Sequence, residues 1–98
     1  MKTVDVLRIP GLTTHQLEAL CSKAEVAARK YILSKVSLKT IEKLDISVEA
    51  EGTKPLNLTV NVDLMLSQQA KNSNLKKLVD EAAKEALKIS EEYLRKLT

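Results

Sequence analysis

The residues that could do nucleophilic or metal chemistry are few in this 98-residue sequence. It has one histidine, His15, and one cysteine, Cys21. His15 falls in the first turn of a predicted helix and Cys21 on its apolar side, so we expect an exposed imidazole and a buried, unreactive thiol. One Cys and one His are too few ligands for zinc, and two glycines cannot build a phosphate-binding loop. The sequence therefore predicts a protein that is not an enzyme and that uses no cofactor.

A cluster of carboxylates falls on two predicted strands. Asp45, Glu49 and Asp63 alternate with apolar residues, so they share the solvent side of a sheet. Their oxygens could bind a hard cation together. They could equally form the ordinary wet face of a strand pair, or contact lysines of a partner protein. We predict no metal site here.

The composition is that of an ordinary globular domain. Hydrophobic residues make up 44% of the sequence and charged residues 30%, and a chain of this length forms a single domain, residues 1–98. There is no Phe or Trp, so the core must be almost entirely aliphatic. A lone cysteine without a signal peptide indicates a reducing, cytoplasmic setting. No apolar run approaches the length of a membrane span.

The first predicted helix has a clear beginning. Thr13 and Gln16 fit a capping box, in which each side chain accepts a hydrogen bond from the backbone N–H of the other residue. Apolar residues then recur with the 3.6-residue period of an amphipathic helix, and we expect the helix to end near Ser34. The residues of this apolar stripe are Leu17, Leu20, Cys21, Ala24, Ala27, Ala28 and Tyr31.

Two strands follow. Apolar residues occupy even positions over 44–50 and again over 56–66, with mainly polar residues between them. This alternation predicts an antiparallel hairpin with one buried face. Val48, Val60, Val62 and Leu64 should be almost fully buried, together with Leu20, Ala24 and Ala82 of the helices.

Charge suggests a register for this hairpin. Directly opposed residues share a face, which restricts the possible registers to shifts of two residues. We expect the register that pairs Val48 with Leu58 and sets Lys43 opposite Asp63, with a five-residue loop over 51–55. The register shifted by two residues sets Asp45 opposite Asp63, and like charges in that position repel.

The second predicted helix runs from about Leu75 to Lys96, capped by Ser73 or Asn74. Its stripe packs on its own sheet, or in part forms a seam shared with another copy. The stripe consists of Leu75, Val79, Ala82, Ala86, Ile89, Tyr93 and Leu97, widened by Leu78, Ala83, Leu87 and Leu94.

These elements predict an α+β fold, a two-layer αββα sandwich with both helices on one face of a small antiparallel sheet. Residues 1–11 form an N-terminal arm or a third, edge strand, because 3–9 look extended and end at the turn signal Pro10-Gly11. Two strands alone make a thin sheet. Either the N-terminal segment adds a strand or a second subunit extends the sheet, and the second alternative predicts a homo-oligomer, most simply a homodimer.

The same layout brings basic residues together. In an αββα order, the junction after the first helix and the junction before the second helix lie at one pole of the molecule. A polyanion such as RNA or DNA could dock there, beside the positive N-terminus of the second helix. A solvated pole is the simpler interpretation at a net charge of +3. The basic residues of this pole are Arg29, Lys30, Lys35, Lys39, Lys71, Lys76 and Lys77.

The pattern of packing positions resembles a family of small archaeal proteins catalogued as a domain of unknown function. The similarity lies in the helix ending at 31–35, the strands at 44–49 and 58–62, and the closing helix with Glu92-Tyr93-Leu94. It spans about residues 14–97. The resemblance implies the helix–strand–strand–helix pattern and brings no active-site residues with it.

Two functions follow as expectations. The first is a non-enzymatic protein–protein interaction module or the small subunit of a complex, homo-oligomeric and without membrane contact. The alternative is an RNA- or DNA-binding protein that uses the basic pole.

Overall fold

The computed structural model describes residues 2–9, 11–51, 56–67 and 75–97. A short 3-10 turn at Leu38–Thr40 precedes the second strand. The observed elements confirm the predicted α+β fold, and the extended N-terminal segment is a strand. The elements in chain order are β1 (Lys2–Ile9), α1 (Thr14–Lys35), β2 (Ile41–Glu51), β3 (Leu56–Leu66) and α2 (Leu75–Leu97).

The sheet has three antiparallel strands in the order β1-β3-β2. The N-terminal segment is thus the edge strand that the sequence allowed, paired with the central strand β3 from Lys2↔Asp63 to Ile9↔Leu56. Because the chain itself supplies the third strand, a thin sheet is no longer a reason to expect a second subunit.

The predicted hairpin register was wrong. Val48 lies opposite Val60, Asp45 lies opposite Asp63, and Lys43 lies opposite Met65. The repulsion that argued against this register is relieved because the long Lys43 side chain reaches diagonally across the strands. Its Nζ lies 3.4 Å from an oxygen of Asp45 and 3.4 Å from an oxygen of Asp63.

The predicted loop also began one residue too early. Glu51 is the last residue of β2 and pairs with Asn57. The remainder of the predicted loop, 52–55, lies outside the described residues. A register irregularity between Ile41 and Lys43 marks the other end of β2, where a bulge bends the strand.

Helix α1 begins as predicted. The backbone N–H of Thr13 donates to Gln16 Oε1 at 3.0 Å, and the backbone N–H of Gln16 donates to Thr13 Oγ1 at 3.2 Å. The helix ends at Lys35, one residue beyond the predicted Ser34. Four residues spaced by one helical turn are fully buried on its inner side, namely Leu20, Ala24, Ala28 and Ile32.

The core lies between the sheet and the two helices. Val60, Val62 and Leu64 of β3 are completely buried, as are Leu20, Ala24 and Ala82 of the helices, so this part of the core prediction is confirmed. Val48 is only half-buried, which contradicts its predicted burial. The reason is its place on β2, an edge strand that has a neighbour on one side only.

Helix α2 packs the residues that widen its apolar stripe inside its own molecule. Leu78 is buried, and Leu87 and Leu94 pack against the core from its margin. The extra apolar width therefore does not require a second copy of the helix. Ser90 is a polar residue in this core, and its hydroxyl donates to the backbone oxygen of Ala86 at 2.8 Å. The predicted caps, residues 73 and 74, lie outside the described residues.

Candidate functional site

The histidine and the cysteine both lie on α1. His15 is exposed in the first turn of α1, as predicted. Cys21 is half-buried, whereas the sequence predicted that it would be buried. It lies in the first half of α1 and packs against the part of the core that contains Ile9. Burial raises the pKa of the Cys21 thiol. A thiol whose pKa is raised carries little thiolate at neutral pH and is a poor nucleophile.

The carboxylates of the open sheet face hold a lysine. Lys43 Nζ sits between Asp45 and Asp63 at 3.4 Å from each. The pKa of Lys43 is raised mainly by its hydrogen bond to Asp45 and next by its hydrogen bond to Asp63. Its ammonium lies between the two carboxylates, in the position that a metal cation would take. Within the described ranges, no group of three or more His, Cys, Asp or Glu side chains is close enough to hold a metal ion.

The two helices run antiparallel, which places the end of α1 beside the start of α2. The hydroxyl of Tyr31, near the end of α1, donates to Glu81 in the second turn of α2. The hairpin end of the sheet lies at the opposite end of the molecule, where Leu56 and Leu58 pack near Tyr93 and Leu94.

Of the seven predicted polyanion-binding residues, Lys71 lies outside the described residues. The other six lie in the last turns of α1, in the 3-10 turn or in the first turn of α2, and we call them the basic end: Arg29, Lys30, Lys35, Lys39, Lys76 and Lys77.

Acidic neighbours offset part of the charge of the basic end. Arg29 forms an ion pair with Glu25 at 2.9 Å, and Lys77 lies 3.9 Å from Glu81. Lys35 Nζ lies 5.7 Å from the centre of the Tyr31 ring, a cation–π contact. The side chains of Lys30, Lys39 and Lys76 make no ion pair with any described residue, so they are the cations that remain for a ligand.

A groove runs between the outer sides of α1 and α2. It is open to solvent and has a volume of about 550 Å³. The floor is apolar: Val26 is 45% exposed, and Ala27 and Ile89 are half-buried. A branched apolar side chain that is nearly half exposed leaves hydrophobic surface in contact with water. We call this site the helix groove, and its lining residues are Ser22, Lys23, Val26, Ala27, Lys30, Tyr31, Glu85 and Ile89.

The two rims of the helix groove carry opposite charge. Lys23 and Lys30 are two helical turns apart on α1 and therefore share a face. Glu85 lines the α2 side, and Glu81 lies one turn before it. The Tyr31 hydroxyl joins the rims through its hydrogen bond to Glu81, which is also the main reason that the pKa of Tyr31 is raised. The groove is thus a bipolar site with a hydrophobic floor.

The sequence interpretation missed the helix groove. It assigned Ile89 to the core stripe and made no use of Val26 or Leu33, which interrupt the polar side of α1. In the structure, Val26 and Leu33 are 45% and 40% exposed. Two apolar residues seven positions apart on the wet side of a helix were the signal that could have indicated a docking surface.

Membrane insertion has no support among the helices. In the part of the chain that the structure describes, neither helix combines the length and the apolar character needed to cross a bilayer.

Comparison with known proteins identifies relatives of similar structure. A crystal structure of a protein from Thermococcus onnurineus NA1 superposes with a TM-score of 0.85 at 23% identity, covering 99% of this chain and 93% of that one. The solution structure of the hypothetical protein mth677 from Methanothermobacter thermautotrophicus gives a TM-score of 0.74 at 28% identity, covering 89% of this chain and 93% of that one. No protein of curated function matches the chain. The model of the family described as "Protein of unknown function (DUF3194)" matches residues 9–93, and the chain belongs to this family.

Proposed function

We propose that this protein is a non-enzymatic protein–protein interaction module, homo-oligomeric or the small subunit of a cytoplasmic complex, and that it docks its partner in the helix groove. The observation that carries this proposal is the exposed apolar floor of the groove around Val26, with one basic and one acidic rim. A groove between two packed helices accepts a third amphipathic helix, whose apolar side chains fill the floor. The charged rims would fix its direction and discriminate between partners.

The sheet offers weaker docking surfaces than the helices. Its open face is mostly polar, with Val4 and Val6 exposed on the edge strand. The two edges carry features that discourage strand addition. On β1, Asp5 lies on the helix-facing side of the sheet, opposite the buried Val60; on β2, the register irregularity distorts the strand. Inward-pointing charges and bulges are devices by which proteins prevent edge-to-edge pairing.

Matched variants in a pull-down test this proposal. The baits are the tagged wild-type protein, Val26→Lys in the helix groove, and Val6→Lys as a control of equal chemistry on the open sheet face. We expect specific partners, identified by mass spectrometry from native extract, to be lost with Val26→Lys and retained with Val6→Lys. If the two variants retain or lose the same partners, the groove is not the docking site.

Nucleic-acid binding is a second candidate, favoured by the lysines of the basic end that form neither an ion pair nor a cation–π contact with a described residue, Lys30, Lys39 and Lys76. Phosphate contacts would make the affinity for RNA or DNA fall steeply with salt. Titrating a single-stranded and a double-stranded RNA at several salt concentrations tests it. The double variant Lys39→Glu/Lys76→Glu should abolish binding, whereas His15→Glu, far along α1, should not. Affinity that is absent at low salt would remove this candidate.

A further inference from the structure

We infer that the partner that covers the helix groove is a second copy of this chain, related by a two-fold axis that runs parallel to the helices. Each α1 then packs on the α2 of the other copy, and the two grooves face each other. The inference rests on the proposed function and gives it a partner and a geometry. It follows from the heights of the charged residues along the two helices.

Two contacts fix those heights. Tyr31 of α1 reaches Glu81 of α2, and Lys23 Nζ lies 5.6 Å from the centre of the Tyr93 ring. Because the helices are antiparallel, a step forward along α1 corresponds to a step backward along α2. Lys30, one residue before Tyr31, is level with Ala82 by the first contact and with Ala86 by the second. Glu85 lies within this range, and Lys30 and Glu85 both line the same groove.

Lys23 has an acidic counterpart as well. It lies beside Tyr93, and Glu92 precedes that residue. Glu92 comes seven residues after Glu85, which is nearly two full helical turns, so the two glutamates share one face of α2. Lys23 and Glu92 are both exposed. Lys30 and Lys23 of α1 thus match Glu85 and Glu92 of α2 in spacing.

Rotation about an axis parallel to the helices keeps every residue at its height and exchanges α1 with α2. Lys30 then faces Glu85 of the second copy, and Lys23 faces Glu92 of the second copy. The symmetry makes each pair occur twice, as an isologous interface requires. Among the ion pairs of the described residues, none joins Lys30 to Glu85 across the groove of one copy, so both groups are available.

The other two-fold arrangement of the same face is unfavourable. An axis perpendicular to the helices packs α1 on α1 in antiparallel fashion, which brings Lys23 near Lys30 of the second copy. It also brings Glu85 near Glu92 of the second copy. Like charges at close range cost binding free energy, so the charge pattern selects the axis that runs parallel to the helices.

The apolar floor and the area are consistent with a reversible dimer. Val26 of one copy lies over Ile89 of the other, which removes the exposed Val26 from water. Helices of 22 and 23 residues are each about 33 Å long, and two side by side present a face of roughly 650 Å² at about 10 Å per helix. That is close to the roughly 800 Å² per partner of a stable interface.

A charge-reversal cycle followed by sedimentation velocity tests the arrangement. The proteins are wild type, Lys30→Glu, Glu85→Lys and the double variant, each over a concentration series at low salt. Each single reversal places like charges opposite each other twice, so the dissociation constant should rise by about tenfold or more. The double variant restores opposite charges across the interface and should return to near the wild-type value. Lys39→Glu, of equal charge change but outside the groove, is the control and should leave association unchanged.

Two results would overturn the inference. One is a wild-type protein that stays monomeric at every concentration up to the millimolar range. The other is a dimer that the single reversals do not weaken or that the double variant does not restore. If the protein is monomeric but Val26→Lys still loses partners in the pull-down, a different protein occupies the groove and the proposed function survives. If Val26→Lys also loses nothing, the proposed function falls as well.

Discussion

Strands β3 and β2 have the same alternating sequence pattern but very different burial. Val60, Val62 and Leu64 of β3 are 0% exposed, whereas the corresponding residues of β2, among them Ile46 and Val48, remain half-buried. The cause is the strand order, in which β3 has a neighbour on each side and β2 forms an edge. Alternation indicates which face of a strand is buried, and the position in the sheet decides how deeply.

The largest expected effect is at the centre of the sheet. Val62→Ala removes two methyl groups from a fully buried site, and the free energy of unfolding should fall by about 1–3 kcal/mol through lost burial and a residual cavity. Urea denaturation followed by circular dichroism measures it. A loss below about 0.3 kcal/mol would mean that the site relaxes completely or lies outside the core.

The matched change on the edge strand should cost less. Val48→Ala makes the same chemical change opposite Val60, but its side chain is partly in water already. We expect a loss of about 0.5–1 kcal/mol in the same urea experiment, since less apolar area is returned to solvent. Equal losses of unfolding free energy for Val62→Ala and Val48→Ala would contradict the difference in burial between the central and the edge strand.

The charged face of the hairpin offers a test of its register. Lys43→Met removes the cation between Asp45 and Asp63, so two carboxylates face each other without an ammonium between them. We expect a lower melting temperature at pH 7 and low salt, with the difference shrinking as salt screens the repulsion. Glu49→Gln, on the same face, is a control that leaves the Lys43 contacts intact. A Lys43→Met effect that does not depend on salt would contradict this explanation.

The smallest effect concerns the pH dependence of the contact between the helices. The hydrogen bond to Glu81 is the main cause of the raised pKa of Tyr31, so the fold stabilises its neutral phenol. This contribution to stability is fully present below the unfolded pKa of about 10 and is lost as pH rises through the higher folded value. In a Tyr93→Phe background, absorbance titration should show Tyr31 ionising at lower pH once Glu81→Gln is introduced. An unchanged titration would show that Glu81 has no influence on the phenol.

Local chemistry was the part of this protein that the sequence could predict. The capping box of Thr13 and Gln16 depends on residues three positions apart, and the inward face of each strand depends on alternation alone. Both were correct because the determinants lie within a few residues of each other. The uncertain N-terminal segment depended instead on a pairing partner more than fifty residues away, since Val4 lies beside Asn61.

The hairpin register shows why the remainder needed the structure. Pairwise charge disfavoured Asp45 opposite Asp63, yet the fold adopts that register, and Lys43 offsets the repulsion by contacting both carboxylates at once. The helix groove forms because α1 and α2 pack side by side. Neither Val26 nor Glu85 alone predicts how the two helices pack.

The sequence by itself determined the α+β class, the helix boundaries to within one residue, and the buried faces. These follow from periodicity and composition, which act over one or two turns of chain. The tertiary structure decided the strand order, the depth of each core residue, the pairing of the sheet charges and the meeting of a basic and an acidic rim beside Val26. Those features arise from contacts between distant segments, where several side chains balance burial and charge together, and no single segment carries that balance.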